Sequence, residues 1–168
     1  MLVAADIGNT QTVLGAFEGE GLRERWRMAT EAFRSADEIG ASCAAFLELR
    51  GMKLEDVEAL IVSSDVPPLI RSYKNLARDI LGVPFYSVSS EMETGLEIYY
   101  DDPGALGSDR IVNSVATVRH YGSPAIIVDF GTATTVAAQT PAAAQQPATD
   151  AGGTPATGAM AALAALEA

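Results

Sequence analysis

The chain has 168 residues, is 48% hydrophobic, and carries 11 Lys and Arg against 22 Asp and Glu for a formal net charge of −11; it can form one domain, or one lobe of something larger, with a real core. An acidic surface repels phosphate backbones and anionic lipid heads, which disfavours nucleic acid and membrane surfaces as partners. With one cysteine and one histidine (His120), internal disulfides, cysteine zinc sites, histidine metal triads and most Ser-His or Cys-His catalysis are removed, so chemistry is expected to rest on carboxylates, hydroxyls, Arg, Lys and backbone amides.

The start, Met1 to Asp6, lacks a basic segment, and no apolar run approaches the roughly twenty residues that span a bilayer; the expected location is the cytoplasm. Leu2–Asp6 is an apolar run ending in the turn Ile7-Gly8-Asn9-Thr10, and Thr12–Phe17 follows, ending in the turn Glu18–Gly21. Leu22, Glu24, Trp26 and Met28 then alternate with Arg23, Arg25 and Arg27, the period-two pattern of a half-exposed strand. The opening is therefore a three-stranded meander. Ser35 and Glu38 form a capping box ahead of a helix whose inner face carries Ile39, Cys43, Phe46 and Leu47, and Gly51 ends it.

A buried-strand run lies within Glu58–Ser64, and Pro67-Pro68 breaks the chain before a helix from Leu69 to Leu81, stopped by Gly82. A strand near Phe85–Val88 comes next, then a surface loop over 91–106 with a short strand at Glu97–Tyr100. A helix from Ser108 to Tyr121 feeds the apolar strand Pro124–Asp129, and a further strand starts at Thr134–Val136. The order β-β-β-α-β-α-β-α-β-β specifies an α/β fold with a mixed sheet and flanking helices. Beyond Val136 composition changes: residues 137–168 hold fourteen Ala, three Pro, four Thr and three Gln, with no aromatic, Val or Ile. Ala137 to Gly158 reads as a flexible linker, and Ala159 to Ala168 as a short, marginal helix expected to fray.

Two segments share a design. Val3 to Thr10 and Ile127 to Thr135 each deliver a carboxylate, Asp6 or Asp129, at the end of an apolar strand, followed by a glycine and then hydroxyls. Glycine lets amides approach an oxyanion closely, and an adjacent Asp can hold Mg²⁺ directly or through water, which are parts suited to a nucleoside triphosphate. A single such turn is equally well an ordinary hairpin turn; the repetition favours the ligand. In Gly107-Ser108-Asp109-Arg110, the Asp is either a helix-capping carboxylate or a general base for an attacking alcohol, with Arg110 able to bind a carboxylate or phosphate. Tyr99 and Tyr100 line a pocket or simply pack, while His120 and Cys43 read as structural.

Asp6-Ile-Gly-Asn-Thr-Gln-Thr-Val13 resembles the opening phosphate loop of the type III pantothenate kinases, within the actin, hexokinase and sugar-kinase superfamily. Ser63-Ser-Asp-Val-Pro-Pro68, Thr94-Gly95, Tyr100-Asp-Asp-Pro103, Gly107-Ser-Asp-Arg110 and Asp129-Phe-Gly-Thr-Ala-Thr-Thr135 are similar to that family's motifs in order and spacing. The resemblance runs to about residue 136 and implies the first lobe of an actin/hexokinase-like, ribonuclease-H-like fold over 1–122, the start of a second lobe over 123–136, and a low-complexity tail over 137–168. It implies ATP-dependent phosphorylation of pantothenate to 4′-phosphopantothenate, the first step of coenzyme A synthesis, by a homodimer. In that pattern Asp109 is the general base, and Tyr100, Gly107, Ser108, Asp109 and Arg110 bind pantothenate. Asp6, Ile7, Gly8, Asn9, Thr10, Gln11, Thr12 and Val13, with Thr132, hold ATP. Asp6 lies near Mg²⁺, and Asp129 holds a monovalent cation, K⁺ or NH₄⁺.

Nothing in 137–168 reads as the family's second lobe, so apolar surface on Ile126–Val128 is expected to be exposed. The competing expectations are a truncated, non-catalytic binding or regulatory relative of these kinases, and another phosphotransferase of the superfamily acting on a sugar or an acid.

Overall fold

A computed structural model describes residues 1–92, 94–96, 106–130 and 134–139. The described elements follow the predicted order: β1 (Leu2–Ile7), β2 (Gln11–Glu18), β3 (Gly21–Ala29), α1 (Ala36–Glu48), β4 (Ala59–Ser64), α2 (Pro67–Asn75), β5 (Phe85–Ser87), α3 (Ser108–Tyr121), β6 (Ala125–Phe130) and β7 (Thr134–Gln139). Five strands form one sheet in the order β3-β2-β1-β4-β5. The meander β1–β3 is antiparallel, whereas β4 and β5 run parallel to β1, each reached through a helix. Such a sheet, antiparallel at one edge and parallel at the other, is the mixed sheet with flanking helices that the element order specifies.

The period-two alternation of β1 and β4 divides the interior. Val3, Ala5, Ile7, Leu60 and Val62 face α1 and α2, packing on Ile39, Cys43, Leu47, Tyr73 and Leu76. Ala4 and Ile61 face the other way, packing with Phe17, Val88, Ile111 and Val112. Asp6 and Ser63 have the parity of Ala4 and Ile61 and stand side by side in the parallel β1–β4 register. Both therefore open on the face that α3 covers.

Helix ends follow local chemistry. Ser35 Oγ accepts from the Glu38 amide at 3.3 Å while Glu38 Oε2 accepts from the Ser35 amide at 2.8 Å, completing the box. At the other end of α1, Gly51 adopts φ +71°, and the Met52 amide donates to Leu47 O at 3.0 Å, a glycine-closed C-terminus.

Three differences from the sequence expectations have local causes. Helix α2 begins at Pro67, because a proline in the first turn lacks only an N–H that would be unpaired there anyway. From Leu76 to Leu81 it continues as a wider, π-type turn. There Leu76 and Ile80 close over Gly40 of α1, where an added Cβ would meet Leu76 Cδ1 at 3.1 Å. One residue inserted in a turn leaves no mark on apolar spacing. Strand β7 runs to Gln139, so Ala137–Gln139 belong to the hairpin with β6 rather than to a linker. Cross-strand pairing with Ala125–Ile127, together with a Gln139 Nε2 to Ser114 Oγ hydrogen bond of 2.7 Å, overrides the weak strand propensity of Ala-Ala-Gln. The strand expected at Glu97–Tyr100 lies outside the described residues.

Candidate functional site

Carboxylates from four segments gather where the carboxyl ends of β1 and β4 meet the first turn of α3. Asp6 is in β1, Asp65 follows β4, Asp109 is in the first turn of α3, and Asp129 is in β6. Asp65 is anchored by its amide, which donates to Ile7 O at 3.3 Å. Beneath them Ser63 and Ser108 share a buried hydroxyl–hydroxyl hydrogen bond of 3.0 Å that ties α3 to β4. Asp109 Oδ1 accepts from the Arg110 amide at 2.7 Å. Asn113, one turn further along the same helix face, donates from Nδ2 to Asp129 Oδ2 at 3.5 Å.

Gly107 makes this approach feasible. A Cβ there would collide with the Asp109 carboxylate and would lie 3.8 Å from Asp65 Oδ1, so both acids converge on the space that glycine leaves open. Its φ of −60° suits any residue, so close approach rather than backbone strain requires the glycine.

The electrostatics reflect this crowding. Burial pushes the Asp6 carboxyl up from 3.8 to about 6; the charges of Asp65 and Asp109 add to the rise, a hydrogen bond from Ser63 opposes it, and Asp129 adds slightly. Asp65 is also raised, first by desolvation and then by Asp109. Burial and crowding thus favour a proton on Asp6 at pH values where a free Asp is ionised.

The turn after β1 is less uniform than its motif suggests. The Gly8 amide donates to Gln11 O at 3.0 Å, closing the turn, and Asn9, Thr10 and Gln11 are exposed at its tip. Ile7 and Thr12 are only 1% exposed. The Thr12 hydroxyl is committed to Thr30 Oγ1 at 2.8 Å, and Val13 packs toward the α3-side core. Tyr100 and Thr132 lie outside the described residues. The structure thus brings Asp6, Ser108, Asp109 and Asp129 together and holds Ile7, Thr12 and Val13 as framework.

A family model described as type III pantothenate kinase matches residues 2–167. The chain belongs to the type III pantothenate kinase family. A type III pantothenate kinase of Rubrobacter xylanophilus is 64% identical over 138 residues, covering 82% of this chain and 52% of that protein. The chain therefore spans about half the length of the curated relative it matches. Among solved structures, Thermus thermophilus RuvC aligns over 69% of this chain and 77% of its own with 20% identity and a TM-score of 0.36.

The type III pantothenate kinase match runs to residue 167, past Val136, where the sequence resemblance was expected to end, so the tail falls within the family's pattern. Sequence reasoning gave Asp65 no role. The signal was present: β4, like β1 and β6, is an apolar strand with a carboxylate at its end. What it lacks is the glycine that marked the other two.

Proposed function

We propose that the chain serves the ATP-dependent phosphorylation of pantothenate to 4′-phosphopantothenate, the opening step of coenzyme A synthesis. The observation that carries this reading is the convergence of Asp6, Asp65, Asp109 and Asp129 from four separate segments, with like charges acting on Asp6. Phosphoryl transfer needs positioning and charge neutralisation more than covalent chemistry, and a site of carboxylates, hydroxyls and amides suits it.

Asp109 acts as general base. It accepts the proton of the acceptor alcohol as that oxygen bonds to the γ-phosphorus and the bond to the ADP oxygen breaks. Ser108 and Arg110 flank it for pantothenate, with Tyr100. Asn9, Thr10 and Gln11 at the exposed tip are the candidate phosphate contacts, with Thr132 assigned to the same role by the family pattern. Asp6 fits Mg²⁺, because it is a desolvated hard-oxygen donor among like charges. Among the described residues no group of three or more His, Cys, Asp or Glu side chains is arranged to hold a metal ion, so Mg²⁺ at Asp6 would depend on waters and phosphate oxygens for its other ligands. Bound there, Mg²⁺ would neutralise charge developing on the phosphates. Asp129, oriented by Asn113, is the candidate ligand for K⁺ or NH₄⁺. A homodimer in the cytoplasm completes the reading; no helix among the described residues is long and apolar enough to cross a membrane.

The test is ATP-dependent phosphorylation of pantothenate by the purified chain with Mg²⁺ and K⁺, beside Asp109→Asn. The expected result is turnover that falls about 10²–10⁴-fold in the variant. Equal turnover in both proteins removes Asp109 as the base. Nucleotide or pantothenate binding with no turnover in either would favour the non-catalytic alternative.

A further inference from the structure

Every Lys and Arg of the five-stranded sheet sits in its edge strand β3, as Arg23, Arg25 and Arg27; β1, β2, β4 and β5 carry none. Trp26 and Met28 pack against the core that α1 and α2 cover. By the period of two, Arg25 and Arg27 therefore stand on the opposite face, the one on which Asp6 opens. The register aligns Arg27, Val13, Asp6 and Ser63 in one row across β3, β2, β1 and β4. Arg27 is two strand spacings from Asp6, roughly 10 Å, with only Val13 between them in that row. The end of β3 that carries Arg27 is tied to the turn after β1. There the Thr30 amide donates to Thr10 O at 2.9 Å, and the Thr12 and Thr30 hydroxyls share a hydrogen bond of 2.8 Å.

The three arginines differ in what they hold. Arg23 is paired with Glu18 at 3.1 Å, and Arg25 is engaged. Arg27 is exposed and has no hydrogen bond or ion pair among the described residues. Four carboxylates converge beside a turn whose exposed tip, Asn9 to Gln11, is neutral. A polyphosphate brought there meets like charge, and a protein cation must offset it alongside Mg²⁺. Resting on the phosphoryl-transfer reading above, we propose that Arg27 binds phosphate oxygens of the nucleotide. A guanidinium suits this task, because its planar fork matches a phosphate with two parallel hydrogen bonds. The two ends of the row divide the work. Ser63, at the end away from Arg27, is bonded to Ser108, two positions before Arg110 in the first turn of α3. In-line transfer places acceptor and nucleotide on opposite sides of the phosphorus. Arg110 thus stands with Asp109 on the acceptor side of Asp6, and Arg27 stands on the nucleotide side.

The test is equilibrium binding of ATP, and separately of inorganic tripolyphosphate, to the full chain with Mg²⁺ by titration calorimetry. The proteins are the wild type, Arg27→Gln, Arg27→Lys and Arg23→Gln, the last making the same change in net charge at the other end of β3. The expected result is about tenfold weaker binding of both ligands by Arg27→Gln, partial recovery in Arg27→Lys and no change in Arg23→Gln. Arg27 is exposed, so the variants keep the fold, which an unchanged urea midpoint verifies. Equal binding by the wild type and Arg27→Gln would overturn the proposal, as would equal losses in Arg27→Gln and Arg23→Gln, which would show only a general field. A loss for ATP but not tripolyphosphate would also overturn it, as would weaker pantothenate binding with ATP binding intact, which would make the acceptor's carboxylate the anion. A wild-type chain that binds neither polyphosphate would instead overturn the phosphoryl-transfer reading itself, and the proposal with it.

Discussion

Replacing Asp6 by Asn should stabilise the unliganded protein at neutral pH and not in acid. In the folded chain Asp6 keeps its proton to about pH 6, whereas the ordinary value is 3.8. Between those values the folded state binds more protons than the unfolded one, so this residue's contribution falls as pH rises and levels off above the folded value. At about 1.4 kcal/mol per pH unit, a rise from 3.8 to about 6 corresponds to about 3 kcal/mol at neutral pH. Asn cannot ionise yet retains an acceptor for Ser63, so the variant escapes that penalty. The assay is thermal and urea unfolding of both proteins in EDTA. At about pH 7.5 the variant should melt about 6–12 °C higher, and at about pH 4 the two should nearly coincide. Equal stability at neutral pH, or a gap that does not close on acidification, would refute the assigned electrostatics.

Other substitutions separate scaffold from site. Ser35→Ala removes the acceptor for the Glu38 amide and should lower unfolding free energy by about 1 kcal/mol, read by urea denaturation with no change in nucleotide binding. Gly107→Ala places a Cβ against the Asp109 carboxylate without straining φ. It should cost about 1 kcal/mol or less in stability while lowering pantothenate phosphorylation by more than about tenfold; a variant that unfolds but keeps full turnover when folded would contradict the crowding argument.

Much of the fold was legible because single elements announce themselves locally. Arginine at every second position marked β3 as half exposed, Ser35 and Glu38 fixed the start of α1, and the Ser108–Tyr121 boundaries matched. Properties set by distant partners were hidden. The widened turn after Asn75 packs closely over Gly40 of another helix, and β7 ends at Gln139, which is bonded to Ser114 of α3. Within the site, Asp6, Asp109 and Asp129 were found through strand-end glycines and a helix start. Asp65 was missed because its approach to Asp109 depends on a glycine 42 positions later, at Gly107. The structural commitment of Thr12 was equally hidden, since its partner Thr30 comes from the far end of β3.

Helix α3 is pinned at two heights. Ser108 in its first turn is fastened to Ser63 of the five-stranded sheet, while Asn113 and Ser114, about one and a half turns on, are fastened to the hairpin. The helix is thus an axle. Asp109 and the fourth carboxylate, Asp129, are thus held through different fasteners on a single 14-residue rod: Ser108 at the end that carries Asp109, Asn113 at the height of Asp129.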